Sequence, residues 1–288
     1  MGDSEEEIKY RRWCFENKLF LNPLNDLGQF SKMAIADVIS TPTIRYKIDQ
    51  GPYYSGYFNQ LKQEYISARY LYYEGIYKKE LHFSDKNVYL VDTFDYPAYS
   101  IAIEKVKIAF RTNYSIFDKI SYFLNDYLKL SIKERSVNFK TLWYNSQDKK
   151  KGLRKEFESN DNWPLRGLFW ISKDLFEIRS DFMLAMEPEA QKLYEVRNHI
   201  EHKYFKLHNK KNMPEYKTSS GLIDPLAFSM PRQEFEDKTL RLIKTIRAAI
   251  IYLSSAIQHE EKRRLKLRPE ENACIELHAC EFYDEWKI

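Results

Sequence analysis

The sequence predicts an all-α fold, an up-and-down helical bundle. Three observations carry that prediction. Apolar residues recur every three or four positions over several long stretches. Glycine is scarce, 8 of 288 residues, while Leu, Ile, Lys, Glu and Tyr are common. Hydrophobic residues make up 43% of the chain, enough for a packed core and too many for disorder.

The elements follow in order. Glu5 to Glu16 reads as a short helix. Lys18 to Leu27 is an apolar-polar loop, with Pro23, its Asn and Asp residues and then Gly28 marking turns. Thr41-Pro42 and Gly51-Pro52 are further breaks. Residues 1–50 thus form an N-terminal extension expected to pack on the bundle. Tyr57 to Lys79 is a long amphipathic helix, because Phe58, Leu61, Tyr65, Ala68, Tyr72 and Ile76 share one face. Asn87 to Val91 is a short strand or an extended connector. Ser100 to Leu130 is the clearest long helix, its stripe supplied by Ile101, Ile108, Ile116, Ile120, Phe123, Leu124 and Leu128.

Lys133 to Asn162 is polar and lysine-rich and reads as an inserted segment containing a loop. Pro164 opens a helix to about Ile178. After Pro188 a helix runs from about Glu189 to His208. Asn209 to Pro231 holds Pro214, Gly221 and Pro225 and reads as a loop. Gln233 to Leu267 is the last long helix, with Leu240, Ile243, Ile246, Ile250, Leu253 and Ile257 in register. The bundle domain therefore spans about residues 51–270, and 271–288 form a tail.

A net charge of +4 permits binding to a polyanion without requiring it. Most of the 22 tyrosines are expected to pack between helices, and a few could stack on RNA bases. Cys14, Cys274 and Cys280 make no disulfide framework and read as reduced thiols. The acidic N-terminus lacks the apolar stretch of a signal peptide, and no run reaches membrane-span length. These features point to a soluble cytoplasmic protein with no membrane partner.

The chemistry concentrates in Arg197-Asn198-His199-Ile200-Glu201-His202. An arginine stands five residues ahead of a histidine, with an asparagine directly after it. These are the groups that cut RNA without a metal: a fixed positive charge for phosphate, an imidazole for proton transfer, and an amide to hold both. On a helix, Leu193, Val196, Ile200, Tyr204 and Leu207 fall on one arc, the core face. Arg197 and Glu201 sit at its edge, while Asn198 and His202 point nearly away from it. The bland alternative is a solvated polar face.

Other constellations are weaker. His199 and His202, with Glu195 one turn before His199, suggest a metal site only weakly, because two histidines without a third convergent ligand are usually not one, and Cys274, His278 and Cys280 match no common zinc spacing. Lys262 to Arg268 could guide RNA or simply complement the helix dipole. Lys149-Lys150-Lys151 reads as a solvated loop. No phosphate-cradling glycine loop is present, and no cofactor is expected.

Four principal helices with Arg-Asn-x-x-x-His on the third resemble the HEPN superfamily (higher eukaryotes and prokaryotes nucleotide-binding domain), over roughly Gly51 to Leu267. The stretch from Trp13-Cys14 to Leu27 also resembles the N-terminal approach of a bacterial branch in which the domain often follows helical repeats; no repeats occur here. The resemblance implies a metal-independent endoribonuclease, a toxin or antiphage-defence effector. It further implies a homodimer with two motifs facing one cleft, held off by an antitoxin or switched on by an activating partner. By position, Arg197 and His202 are the catalytic pair, and Asn198 is the polar residue beside the arginine. Asp118 is the candidate for an acidic residue from an earlier helix, unless it is an exposed carboxylate paired with a lysine. Glu201, His199 and Lys203 are candidate substrate contacts, and Glu201 is also expected to pair with Arg197. The alternative function is a non-catalytic RNA- or nucleotide-binding or dimerisation module.

Overall fold

The computed structural model describes residues 2–47, 51–77, 80–146, 152–158, 160–176, 190–209, 224–267, 274–276 and 283–287. The fold is mostly helical, an all-α bundle to which two short strand pairs are added. Among the described residues, no helix is long and apolar enough to cross a membrane.

Helix α1 spans Glu5–Glu16. Ser4 caps it by accepting a hydrogen bond from the Glu7 amide at 3.1 Å, and three first-turn glutamates suit the positive end of the dipole. One short turn, α2, covers Leu24–Leu27, and strand β1 covers Arg45–Lys47. The long helices α3 (Tyr53–Tyr77) and α4 (Ile101–Tyr127) form an antiparallel pair. Tyr54 donates to Asp126 at 2.6 Å near one end, and Lys105 bonds Glu74 at 2.8 Å near the other. Gly75 lets the two helices touch: a Cβ there would lie 2.6 Å from Val106 and 2.7 Å from the Ala102 carbonyl oxygen.

Then come α5 (Lys155–Glu158), α6 (Trp163–Phe176), α7 (Ala190–His202), β2 (Tyr204–His208), β3 (Ala227–Pro231), α8 (Arg232–Leu267) and β4 (Cys274–Glu276). Helix α8 packs along α3, α4 and α6 and also meets α7. β4 pairs antiparallel with β1.

Several expectations are corrected. The helix carrying the motif ends at His202, not His208. After Lys203, Tyr204–His208 form β2, parallel to β3, so the segment read as a loop up to Pro231 also ends in a strand. The partner strand is distant in sequence, which local periodicity cannot reveal. Tyr204 is exposed and does not extend the core arc. On α4, Ile108 is exposed, and the buried face runs through Ile103, Val106, Phe110, Phe117, Ile120 and Leu124. The segment read as a polar insertion sends Phe139, Leu142 and Trp143 into the core. Its Lys149-Lys150-Lys151 run, like Pro188, His278 and Cys280, lies outside the described residues. Asn87 stands in a turn with φ 59°, and Val88 to Val91 has no strand partner among the described residues.

Buried charge fixes two regions. Lys206 on β2 points inward and pairs with Asp95 at 2.6 Å and Asp224 at 2.8 Å. Burial works against its charge, but the two carboxylates outweigh that and hold its pKa above the ordinary lysine value. In the N-terminal extension, Arg69 of α3 forks onto Asp37 at 2.8 and 2.9 Å and donates to the Leu19 carbonyl at 2.8 Å. Arg247 of α8 donates to the Phe20 carbonyl at 2.6 Å, the Asn22 carbonyl at 3.0 Å and the Asp26 carboxylate at 2.7 Å. Two guanidiniums from two bundle helices therefore hold one loop. Cys14 is buried beside them, and burial pushes its thiol up to about 11, so it is a packing thiol.

Tyrosines fill much of the interior, and several of their hydroxyls are satisfied. Tyr65 donates to the Leu19 carbonyl at 2.6 Å, Tyr72 to the Glu236 carbonyl at 3.0 Å and Tyr127 to Glu261 at 2.6 Å. Burial raises the pKa of all three phenols.

Removing Arg69 leaves the Asp37 carboxylate without its cation. Arg69→Ala should cost about 3–5 kcal/mol, read as a fall in the thermal midpoint. Burial opposes ionisation of Asp37, but Arg69 and the Leu21 amide hold its pKa below the usual carboxylate value. Its contribution is therefore complete above the ordinary carboxylate pKa and is lost as pH falls through the depressed one. A midpoint unmoved in Arg69→Ala would show that the pair does not anchor the extension.

Candidate active site

Helix α7 is oriented by its apolar side: Leu193, Val196 and Ile200 are buried. That rotation turns His202 to solvent and leaves Arg197, Asn198 and His199 half-buried. Arg197 lies against α4, its guanidinium carbon 5.8 Å from the centre of the Tyr114 ring. Its Nη1 donates to Asn198 Oδ1 at 3.2 Å, and among the described residues no carboxylate forms an ion pair with it. The expected pairing of Arg197 with Glu201 does not occur. Glu201 instead lies 3.9 Å from Arg111 of α4, which also donates to the Ile200 carbonyl at 3.4 Å.

Asp118 sits one turn along α4 from Tyr114. One side of its carboxylate is open, and Oδ1 accepts from the Phe139 amide at 3.3 Å. The protein packed around its other side raises its pKa, while the Phe139 amide and the nearby charge of Arg197 pull it back in part. The alternative pairing with a lysine is not seen, since Lys119 bonds Glu64. Tyr114 is buried, and its hydroxyl has no partner among the described residues. Burial, then the charge of Asp118, raises its pKa, and Arg197 lowers it. Tyr114, Asp118 and Arg197 thus form one electrostatic group between α4 and α7.

His199 is tied into the fold. Its ring stacks on Phe228 of β3 at 4.1 Å. Nδ1 lies 2.8 Å from the Glu195 carbonyl oxygen, so the Nδ1 proton points there. His202 and Lys203 are exposed, and the His202 ring has no hydrogen-bond partner among the described residues. Five residues on one helix place Arg197 and His202 roughly 140° apart about the axis. One chain therefore does not bring the two groups face to face. Asn198 links them: it accepts from Arg197 and stands one turn before His202 on nearly the same side.

Arg111 escaped the sequence reading. The signal was the polar series Arg111, Tyr114 and Asp118, recurring at helical spacing on α4. At the basic end of α8, Arg263 and Arg264 are engaged within the chain: both pair with Glu260, at 2.8 and 3.0 Å. Among the described residues no cluster of three or more His, Cys, Asp or Glu side chains could hold a metal ion.

A helical bundle with an Arg-x4-His helix presented at its side is the arrangement of a HEPN domain. Residues 45–260 match the LA2681-like HEPN family, and the chain belongs to that family. No curated protein and no solved structure matches it.

The two motif histidines should separate in their effect on stability. His199→Ala removes the stack and the carbonyl contact and should cost about 1–2 kcal/mol. His202→Ala should stay within about 0.5 kcal/mol of the wild type. Equal losses in thermal or urea unfolding would mean that His202 is also a packing residue.

Proposed function

We propose that this chain is a HEPN-type endoribonuclease whose centre is Arg197, Asn198 and His202, supported by Asp118. The observation that carries the reading is a solvent-facing imidazole and a guanidinium that forms no ion pair among the described residues, both on the motif helix of a HEPN-family domain. A guanidinium fork suits two phosphate oxygens and the charge that builds on them.

In this mechanism an imidazole takes the proton of a ribose 2′-hydroxyl. The freed oxygen attacks the adjacent phosphorus, and the bond to the 5′-oxygen breaks. A second imidazole protonates that leaving oxygen. The products are a 2′,3′-cyclic phosphate and a 5′-hydroxyl, and imidazole can both accept and donate the proton these steps need. His202 of a second copy supplies the other imidazole, so the active form is a homodimer. The wide angle between Arg197 and His202 on one helix fits such sharing. Asp118 orients Arg197 through its charge. Lys203 and Glu201 border the phosphate path, and His199 sets the helix end through Phe228. No metal or cofactor enters these steps. The biological setting proposed is a cytoplasmic toxin or antiphage effector, controlled by an antitoxin or an activating partner.

The same wide angle favours a second reading, a HEPN module that binds RNA without cutting it. One experiment separates the two. Purified protein is incubated with transfer RNA, or with a fluorescent RNA, in EDTA. Cleavage with a cyclic-phosphate end, and none of the matching DNA, is the expected result. His202→Ala and Arg197→Ala should each slow cutting at least about a hundredfold while keeping the wild-type circular dichroism. Undiminished cutting by His202→Ala would overturn the mechanism. A mobility shift without cleavage would support the binding module.

A further inference from the structure

Helix α4 carries four cations, Lys105, Lys107, Arg111 and Lys119. Carboxylates hold three of them closely: Glu74 holds Lys105 at 2.8 Å, Glu104 holds Lys107 at 2.7 Å and Glu64 holds Lys119 at 2.5 Å. Arg111 is held loosely. The carboxylate it meets, Glu201 of α7, stands 3.9 Å away, and its Nη2 reaches the Ile200 carbonyl at 3.4 Å. Both separations are long for such contacts. Among the described residues its Nη1 makes no hydrogen bond. Water reaches both side chains of the pair, 44% exposed for Arg111 and 33% for Glu201, so their attraction is weak.

The crossing of α4 and α7 fixes where this guanidinium lies. Arg111 meets Ile200 and Glu201, while Tyr114, three residues further along α4, meets Arg197. The two helices run antiparallel at this point, so Arg111 and Arg197 are anchored along one seam, about one helical turn (roughly 5 Å) apart. That step is of the same order as the step between neighbouring phosphates of an RNA strand. Asp118 lies beyond Tyr114, on the Arg197 side, two turns of α4 away from Arg111. The bland role for Arg111 is to cap the end carbonyls of α7. One long bond to one carbonyl, with half the fork unused, is a poor cap.

We propose that Arg111 holds the RNA phosphate next to the one that is cut, and that Glu201 is the internal counter-ion which this phosphate displaces. The assignment rests on the reading of the motif helix as an RNA site. A phosphate offers the fork two oxygens at bonding distance, where Glu201 offers a single oxygen at 3.9 Å. The exchange strands no buried charge, because the released carboxylate turns to solvent. Glu201 therefore sets how tightly the strand is held without bonding to it.

The test is binding of a fluorescent 2′-O-methyl oligoribonucleotide by the full chain, followed by anisotropy across a salt series, with circular dichroism as the folding control. The blocked 2′-hydroxyl prevents cleavage, so binding is read alone. Arg111→Ala should bind about fivefold more weakly, and the slope of log affinity against log salt should flatten by about 0.7, the loss of one phosphate contact on a single strand. Arg111→Lys should keep the slope. Glu201→Gln should bind about threefold more tightly, yet change little in the Arg111→Ala background, because its competition acts through that arginine. An Arg111→Ala chain with wild-type affinity and slope overturns the assignment. So does a Glu201→Gln chain that binds no more tightly, which also decides the matter if Arg111→Ala does not fold, and so does a wild type that leaves the strand unbound. Cleavage of unmodified RNA is scored separately: its absence beside the expected binding results ends the nuclease reading and leaves Arg111 in place.

Discussion

The rotation of α7 about its own axis determines what the candidate site can do. Leu193, Val196 and Ile200 are buried against the bundle, and burying such side chains is worth about 1.5–3 kcal/mol each. With that stripe fixed inward, no other side of the helix is free to choose its neighbours. Arg197 must meet Tyr114 and the charge of Asp118, and His202 must face solvent. Among the described residues the half-buried guanidinium has no ion-paired carboxylate, only the nearby charge of Asp118, a state that an anion would stabilise. The amide of Asn198 accepts from Arg197 and stands one turn before His202.

Most of the helical frame was legible in the sequence, because helix packing writes itself as local periodicity. α1 begins and ends at the residues expected, and α8 begins one residue early. The arc of α7 was correct as far as Ile200. Beyond His202 the same spacing continued to look helical, yet Tyr204 to His208 pairs with a strand that lies more than 20 residues away. Such pairing leaves no local trace, and an inward lysine looks like a surface residue until Asp95 and Asp224 are placed around it. The core contribution of Phe139, Leu142 and Trp143 was masked in the same way by polar neighbours on either side. In the site, the motif residues were legible, but their partners on α4 were not. Which carboxylate meets which arginine depends on how two helices cross, so Glu201 went to Arg111 rather than to Arg197.

The N-terminal extension and the strand pair β2–β3 solve one problem in one way. Each is an irregular segment laid against helices, with carbonyls or carboxylates that would be costly to bury alone. Arg69 and Arg247 satisfy the first, and Lys206 satisfies the second. Because each cation serves several acceptors from different parts of the chain, position is set more sharply than apolar contact alone would set it. The stretch around Asp95, Ala98 and β2 is thereby fixed next to the end of the motif helix.

The interior tyrosines have an optical consequence. A phenol whose proton is shared with a carbonyl or carboxylate, in surroundings that penalise its anion, keeps that proton well past the pH at which free tyrosine ionises. Phenolate absorbs in the near ultraviolet at wavelengths where the phenol does not. Alkaline spectra of this chain should therefore resolve two populations, a surface set that ionises early and an interior set that stays dark until the helices separate. The molecule thus carries a native chromophore for its own opening, with no added label.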